Sequence, residues 1–272
     1  MIVIRLSVLP FVKAPVPSND DEFSYLLAGD TFAHGRLANP PHPMWVFFET
    51  LHVNQFPTYG SKYFPGQGAV LALGEVLGHP WIGVLVSMGC FCGVLTWALQ
   101  GWVPSRWALL GGILAAIEFG PPRNYWINSY WGGAVAAFGG ALVLGAYSRI
   151  LRHQRVRDSL LFAAGIGILA NSRPYEGAIF SLIFLAALAW GLLRKPATER
   201  GEVVARVVVP MAGVLILFGA FIGFYNWRVT GDPFLLPYTV NDRTYLTVPK
   251  FQWQKMGPPL QYRNHGAPLA LC

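Results

Sequence analysis

The stretch WIGVLVSMGCFCGVLTWAL, residues Trp81–Leu99, decides the fold because it carries no charged side chain from end to end. An α-helix rises about 1.5 Å per residue, so a helix of this length nearly crosses a hydrocarbon core of about 30 Å. The composition agrees: of 272 residues, 54% are hydrophobic and only 12% are charged, against about a quarter charged in soluble domains. We therefore expect an all-α integral membrane protein.

Further apolar runs predict a multi-span helical bundle of about seven membrane segments. Gly66–Gly78 is interrupted by Glu75 and is too short to span, which favours a re-entrant or surface helix. The glycine pair Gly139–Gly140 indicates closely packed helices. The remaining runs are Met1–Val12, Trp107–Phe119, Trp131–Tyr147, Leu160–Ala170, Ala178–Leu193 and Val207–Tyr225.

Two basic loops, 149–158 and 194–206, set the expected orientation. The positive-inside rule places both in the cytoplasm, and loops 14–66 and 121–130 therefore face outward. The formal charge of +7 is then explained without a nucleic-acid partner. We expect a multi-pass protein of a bacterial inner membrane whose functional loops lie outside.

The chain divides into a transmembrane domain, residues 1–235, and an extracytoplasmic tail, residues 236–272. The first extracytoplasmic loop, about 14–66, is long enough to indicate a function, and its aromatic residues predict juxtamembrane helices at headgroup level. The first apolar run is too short to span the membrane, and the C-terminus has no obvious stop signal. Both ends suggest a fragment with a truncated tail.

Asn19–Leu37 stands out because it holds an acidic cluster in a chain with few carboxylates. Asn19 or Asp20 can cap a helix that begins at Asp21 and stops at Gly35. The helix dipole stabilises carboxylates in a first turn, and an ionised carboxylate at a membrane surface suits a general base. These acids either only cap the helix or take part in chemistry, and the local sequence leaves both open.

The motif Asp21-Glu22-Phe23-Ser24-Tyr25 is similar to the Asp-Glu-x-x-Tyr pattern of GT-C membrane glycosyltransferases, which include protein mannosyltransferases and lipid A aminoarabinose transferases. In layout the resemblance covers roughly residues 14–235. It implies inverting transfer of a sugar from a polyprenyl-phosphate carrier to an extracytoplasmic acceptor. It also implies that Asp21 is the catalytic base and that Glu22 is its neighbour in the site.

Three cations are candidates for the phosphate of the donor. Lys62 opens a stretch that resembles the family's Lys-Pro-Pro motif, with Tyr63 and Phe64 between the lysine and the proline. Arg173 lies in a turn that resembles a GT-C turn, and it either binds the phosphate or pairs with Glu176. Arg123 is the third candidate.

The segment that follows Arg123 is rich in amide and aromatic side chains. Asn124, Asn128 and Tyr130 are candidates to hydrogen-bond the sugar or the acceptor. The alternative is that this segment only forms an aromatic belt at the membrane interface.

No cofactor is predicted with certainty. His34, His42 and His52 do not have the spacing of a helical ligand pair. A divalent metal held by Asp20, Asp21 and Glu22 stays open, because some GT-C proteins use one.

Two other functions stay open beside the transferase. A transporter or flippase-like protein would carry ionisable residues near the middle of its spans, where Glu118 is the nearest example. A non-catalytic fragment is the third interpretation. The expected partners are the lipid bilayer, a polyprenyl-phosphate-linked sugar and an acceptor that the sequence does not identify.

Overall fold

The computed structural model describes residues 1–245, 260–261 and 268–269. Most of these residues are helical, and the strands are two residues long. Four helical stretches in the described part of the chain are long and apolar enough to cross a membrane: Pro80–Leu99, Gly133–His153, Pro174–Leu193 and Arg200–Thr230. This agrees with the expected all-α membrane protein.

The helices are numbered in the order in which they follow one another along the chain. They are α1 (Ile2–Ser7), α2 (Asp20–Ala33), α3 (Pro65–Val76), α4 (Pro80–Leu99), α5 (Ser105–Phe119), α6 (Gly133–His153), α7 (Val156–Ala170), α8 (Pro174–Leu193), α9 (Arg200–Val203), α10 (Val209–Thr230) and α11 (Pro237–Tyr245). A π-helical stretch, Val204–Val208, joins α9 to α10. The strands are β1 (Val53–Asn54), β2 (Gly60–Ser61), β3 (Leu260–Gln261) and β4 (Pro268–Leu269).

Of the seven predicted membrane segments, four correspond to described helices of spanning length, namely α4, α6, α8 and the stretch that contains α10. The other three correspond to the shorter helices α1, α5 and α7. Helices α5 and α7 have 15 residues each, which is about 22 Å and short of a full span. The predicted surface segment is α3, which packs between α2 and α4. Helices α8 and α10 leave most of their apolar side chains exposed, as lipid-facing helices do.

Close packing explains the glycines of α6 and α7. A Cβ at Gly165 would lie 2.6 Å from the carbonyl oxygen of Gly139, and a Cβ at Gly139 would lie 3.0 Å from that of Gly165. Only a residue without a side chain fits such an approach. The prediction that the glycine-rich run serves helix packing agrees with this geometry.

The loops gather at the two ends of the bundle as the charge pattern predicts. At one end, the loops before α2, α3 and α6 meet the turn between α7 and α8 and the end of α10. The contacts are Tyr130 N–H to Glu22 Oε1 at 2.9 Å, Gly66 N–H to the Asn171 carbonyl at 2.8 Å, and Thr58 Oγ1 to the Val229 carbonyl at 2.7 Å.

The arginine-rich segment lies at the other end. Arg149 donates to the carbonyl of Trp97 at 2.7 Å, and Arg152 donates to the carbonyl of Gly101 at 2.8 Å. The loops expected outside and those expected in the cytoplasm are therefore separated by the length of the helices.

A small hairpin in the long loop positions the residues that matter for function. Strands β1 and β2 pair antiparallel, with Val53 opposite Ser61, so His52 and Lys62 leave the hairpin at the same end. Helix α11 lies against the hairpin because Asn54 Nδ2 donates to the carbonyl of Pro237 at 2.9 Å. The beginning of the predicted tail therefore packs on the long loop, and most of residues 246–272 lie outside the described residues.

Candidate active site

Helix α2 holds Asp21 in its first turn, with Asn19 as the N-cap. The Asp21 side chain is 28% exposed. The Tyr63 hydroxyl donates to Asp21 Oδ1, and His52 Nε2 lies 3.1 Å from the same oxygen. Oδ2 makes no hydrogen bond with any described residue, so one carboxylate oxygen is held while the other is left for a ligand.

His52 is fixed by its backbone. It has φ = 63°, in the left-handed region that residues other than glycine adopt rarely. Its carbonyl accepts the Ser24 hydroxyl at 2.6 Å and the Lys62 N–H at 3.2 Å. Burial lowers the pKa of His52 and Lys62 lowers it further, while Asp21 opposes this shift, so the imidazole is neutral at pH 7.

Tyr63 combines a stacked ring with a bound hydroxyl. Its ring stacks on that of Tyr25 with centroids 4.3 Å apart. Burial raises the pKa of Tyr63 and the hydrogen bond to Asp21 raises it further, so the phenol keeps its proton and stays a donor. Burial also raises the pKa of Tyr25 to about 12, although Arg173 opposes this shift.

Lys62 lies among aromatic rings next to this carboxylate. It is only 5% exposed. Its Nζ is 5.2 Å from the centroid of Tyr63 and 4.9 Å from that of Tyr238, which is the range of cation–π interactions. The site therefore holds a cation that is largely withdrawn from water.

Glu22 has a different environment from Asp21. It is 2% exposed, and its carboxylate accepts backbone N–H groups from Ser18 at 2.7 Å, Asn19 at 3.4 Å and Tyr130 at 2.9 Å. The side chain thus caps α2 and ties it to the segment before α6. This geometry makes Glu22 a positioning residue, and its predicted catalytic role stays a prediction.

The acidic cluster does not fit a metal. Among the described residues, no group of three or more His, Cys, Asp or Glu side chains could hold an ion. The reason at this site is that backbone N–H groups occupy the oxygens of Glu22, while Asp20 is exposed on its own. We derive no catalytic step through a metal.

Arg173 lies at the start of α8, where its Nη1 is 3.7 Å from Glu176 Oε1. The expected pair is present, and the guanidinium remains accessible because the Arg173 side chain is 40% exposed. Arg173 also acts electrostatically on the Tyr25 phenol. It therefore belongs to the surroundings of Asp21.

The other predicted ligands point elsewhere or are already bonded. Arg123 is exposed. The Asn124 oxygen accepts the Trp126 N–H at 2.9 Å, and the Asn128 oxygen accepts Arg5 Nε at 2.9 Å. Tyr130 is 2% exposed, and its hydroxyl donates to the carbonyl of Pro15 at 2.9 Å. These bonds hold the loop together, and the ligand roles stay predictions.

An apolar cavity of about 350 Å³ lies between the helices. Gly66 and Asn171 line it close to Tyr63 and Arg173 in the chain, and Cys90, Phe138 and Phe218 line it on α4, α6 and α10. A cavity of this size and lining suits a hydrocarbon chain.

Sequence reasoning missed His52, Tyr63 and Tyr238 as members of the site. The sequence contains no motif that links them to Asp21, because the hairpin and α11 bring them together only in the fold. No protein-family model matches the chain, and no curated protein or solved structure is significantly similar to it.

Proposed function

We propose that the chain is a membrane glycosyltransferase of the GT-C type, which moves a sugar from a polyprenyl-phosphate carrier to a hydroxyl of an acceptor outside the cytoplasm. One observation carries the proposal. A partly exposed carboxylate with one unoccupied oxygen, Asp21 Oδ2, is held by Tyr63, and the ring of Tyr63 lies 5.2 Å from Lys62 Nζ. Arg173 acts electrostatically on Tyr25, which stacks on Tyr63. Gly66 and Asn171, near these residues in the chain, line an apolar cavity. Base, phosphate ligands and lipid site are the three parts that this reaction needs.

The first step of the mechanism belongs to Asp21. Its Oδ2 takes the proton of the acceptor hydroxyl while the hydroxyl oxygen attacks the anomeric carbon of the sugar. Tyr63 and His52 contact Oδ1 and fix the direction of the carboxylate. Attack opposite the departing phosphate inverts the anomeric configuration.

The second part of the mechanism is the departure of the carrier. The bond between the anomeric carbon and the phosphate oxygen breaks, and that oxygen keeps the electron pair. The polyprenyl phosphate gains one negative charge, which Arg173 and Lys62 stabilise. Lys62 acts more strongly than a surface lysine because it is only 5% exposed.

The lipid part of the donor occupies the apolar cavity. Gly66 lines it directly after the loop of Lys62, and Asn171 lines it two residues before Arg173. A phosphate held by these two cations therefore leaves its hydrocarbon chain at the mouth of the cavity. The site faces outward in this proposal because the arginine-rich loops lie at the other end of the bundle.

The experiment is transfer of a labelled sugar from polyprenyl-phosphate donors by the purified protein, with Asp21→Asn compared with Asp20→Asn. Asp20 is the matched control because it is exposed in the same helical turn. Loss of a general base lowers the rate by about a hundred- to ten-thousand-fold, so Asp21→Asn should be inactive beside a nearly unaffected control. If both variants had equal activity at equal melting temperature, Asp21 would not be the base.

A further inference from the structure

A second, smaller cavity is lined in part by Arg173. We call it the aromatic cleft and define it by its lining residues: Tyr125, Trp126, Ser129, Trp131, Gly133 and Arg173. Its volume is about 210 Å³, below the roughly 300 Å³ at which pockets for drug-sized ligands begin. The cleft is therefore suited to a single ring.

The walls of the cleft are flat aromatic faces. The rings of Tyr125 and Trp131 meet edge to face with centroids 5.4 Å apart. Tyr125 is 45% exposed and Trp126 is 39% exposed. Accessible aromatic faces beside polar groups bind rings that have both apolar C–H faces and polar edges.

One polar group of the cleft has no partner among the described residues: the indole N–H of Trp131 is buried and makes no hydrogen bond with them. The hydroxyl of Ser129, a residue that is only 1% exposed, is also buried, and it lies close enough to the Tyr125 hydroxyl to lower the pKa of that phenol. An unpaired buried donor destabilises the folded protein. A ligand that brings hydrogen-bond acceptors into the cleft would relieve this cost.

The cleft adjoins both parts of the proposed catalytic site. Its Arg173 is the cation that we assign to the phosphate of the donor. Burial raises the pKa of Tyr125, the Ser129 hydroxyl and the Asn19 side chain lower it, and the carboxylates of Glu22 and Asp21 raise it. Tyr125 is therefore within electrostatic reach of the proposed base.

We propose that the aromatic cleft binds the sugar ring of the donor, with the ring against Trp126 and its hydroxyl oxygens accepting from Ser129 and Trp131. This inference rests on the proposed function, because Arg173 joins the cleft to the phosphate. The two cavities then divide the donor between them. The lipid lies in the apolar cavity, the phosphate at Arg173 and the sugar in the aromatic cleft.

The test compares two probes on the purified protein in nanodiscs: polyprenyl phosphate without a sugar, and polyprenyl phosphates that carry a hexose, a pentose or an amino sugar. The variants are Trp126→Ala and Ser129→Ala. The control is Trp227→Ala, an aromatic residue that is 50% exposed near the same end of the bundle but outside the cleft.

We expect the parent protein to bind one sugar-bearing probe more tightly than bare polyprenyl phosphate. Trp126→Ala should weaken that probe about tenfold, and Ser129→Ala about three- to tenfold. Both variants should bind bare polyprenyl phosphate as the parent does, and Trp227→Ala should change neither affinity. This pattern supports a sugar subsite.

Four outcomes would overturn the inference. Equal affinity of the parent for both probes, or equal losses for both probes in Trp126→Ala, would remove the sugar from the cleft while leaving the carrier in the proposed function. If phosphatidylglycerol in the nanodisc weakened binding of the sugar-bearing probe but not of bare polyprenyl phosphate, the cleft would be assigned to a lipid headgroup. A parent protein that binds neither probe would overturn the proposed function together with this subsite.

Discussion

Removing the hydroxyl of Tyr63 tests how the proposed base, Asp21, is held in position. Tyr63→Phe removes the donor to Asp21 Oδ1 and keeps the ring that stacks on Tyr25 at 4.3 Å and contacts Lys62 at 5.2 Å. A hydrogen bond to a charged group contributes about 1.5–3 kcal/mol. Because Asp21 is 28% exposed and water can replace part of this bond, we take the lower end, which corresponds to about a tenfold fall in rate.

The assay is the initial rate of sugar transfer at saturating donor, measured beside the melting temperature of each variant. Tyr59→Phe is the control, since Tyr59 lies in the same loop and its hydroxyl makes no hydrogen bond with the described residues. A tenfold loss of rate per folded molecule in Tyr63→Phe, beside an unchanged control, supports the orienting role. Full activity of Tyr63→Phe would refute it.

Three further predictions concern the surroundings of the site. The pKa of His52 is lowered in the folded protein, so the contribution of His52 to stability should be constant above pH 6.5, about the ordinary pKa of histidine. As the pH falls below about 6.5 and through the lower pKa of the folded protein, this contribution should be lost. Melting temperature measured against pH tests this, and His52→Gln should flatten the acid side of the curve. Glu22→Gln should lower the free energy of unfolding by about 1.5–3 kcal/mol because three backbone N–H groups lose a charged acceptor. The activity per folded molecule should persist. A loss of activity as large as that of Asp21→Asn would make Glu22 a catalytic residue. In a cysteine-free background, a membrane-impermeant thiol reagent applied from outside should label Thr50→Cys and spare Thr198→Cys, both at exposed positions, and the reverse pattern would overturn the orientation.

Much of the helical fold could be predicted from the sequence because the bilayer imposes long apolar runs. Trp81–Leu99 differs from α4 by one residue, and the interrupted run at Gly66–Gly78 is the short helix α3. The boundaries of α6 and α7 were less accurate, since their last or first turns are polar. Helix α6 continues through Arg149 and Arg152 to His153, and hydropathy does not detect such an extension.

The candidate site was predictable only where a local motif carried it. Asp21 follows from the capping pattern and the acidic cluster, and the pair of Arg173 with Glu176 follows from their spacing of three. His52 and Tyr63 reach Asp21 through a hairpin whose strands have two residues each, and Tyr238 comes from α11. Contacts between such distant residues depend on the assembled fold, so a single sequence carries no signal for them.

The most direct test of the central claim is the anomeric configuration of the sugar before and after transfer. The purified protein would be incubated with polyprenyl-phosphate sugars and a membrane extract as the source of acceptor. Release of polyprenyl phosphate would be followed, and the linkage in the product determined by NMR. We predict release that depends on Asp21, with inversion at the anomeric carbon. Retention of configuration, or no release from any hexose, pentose or amino-sugar donor, would contradict the account.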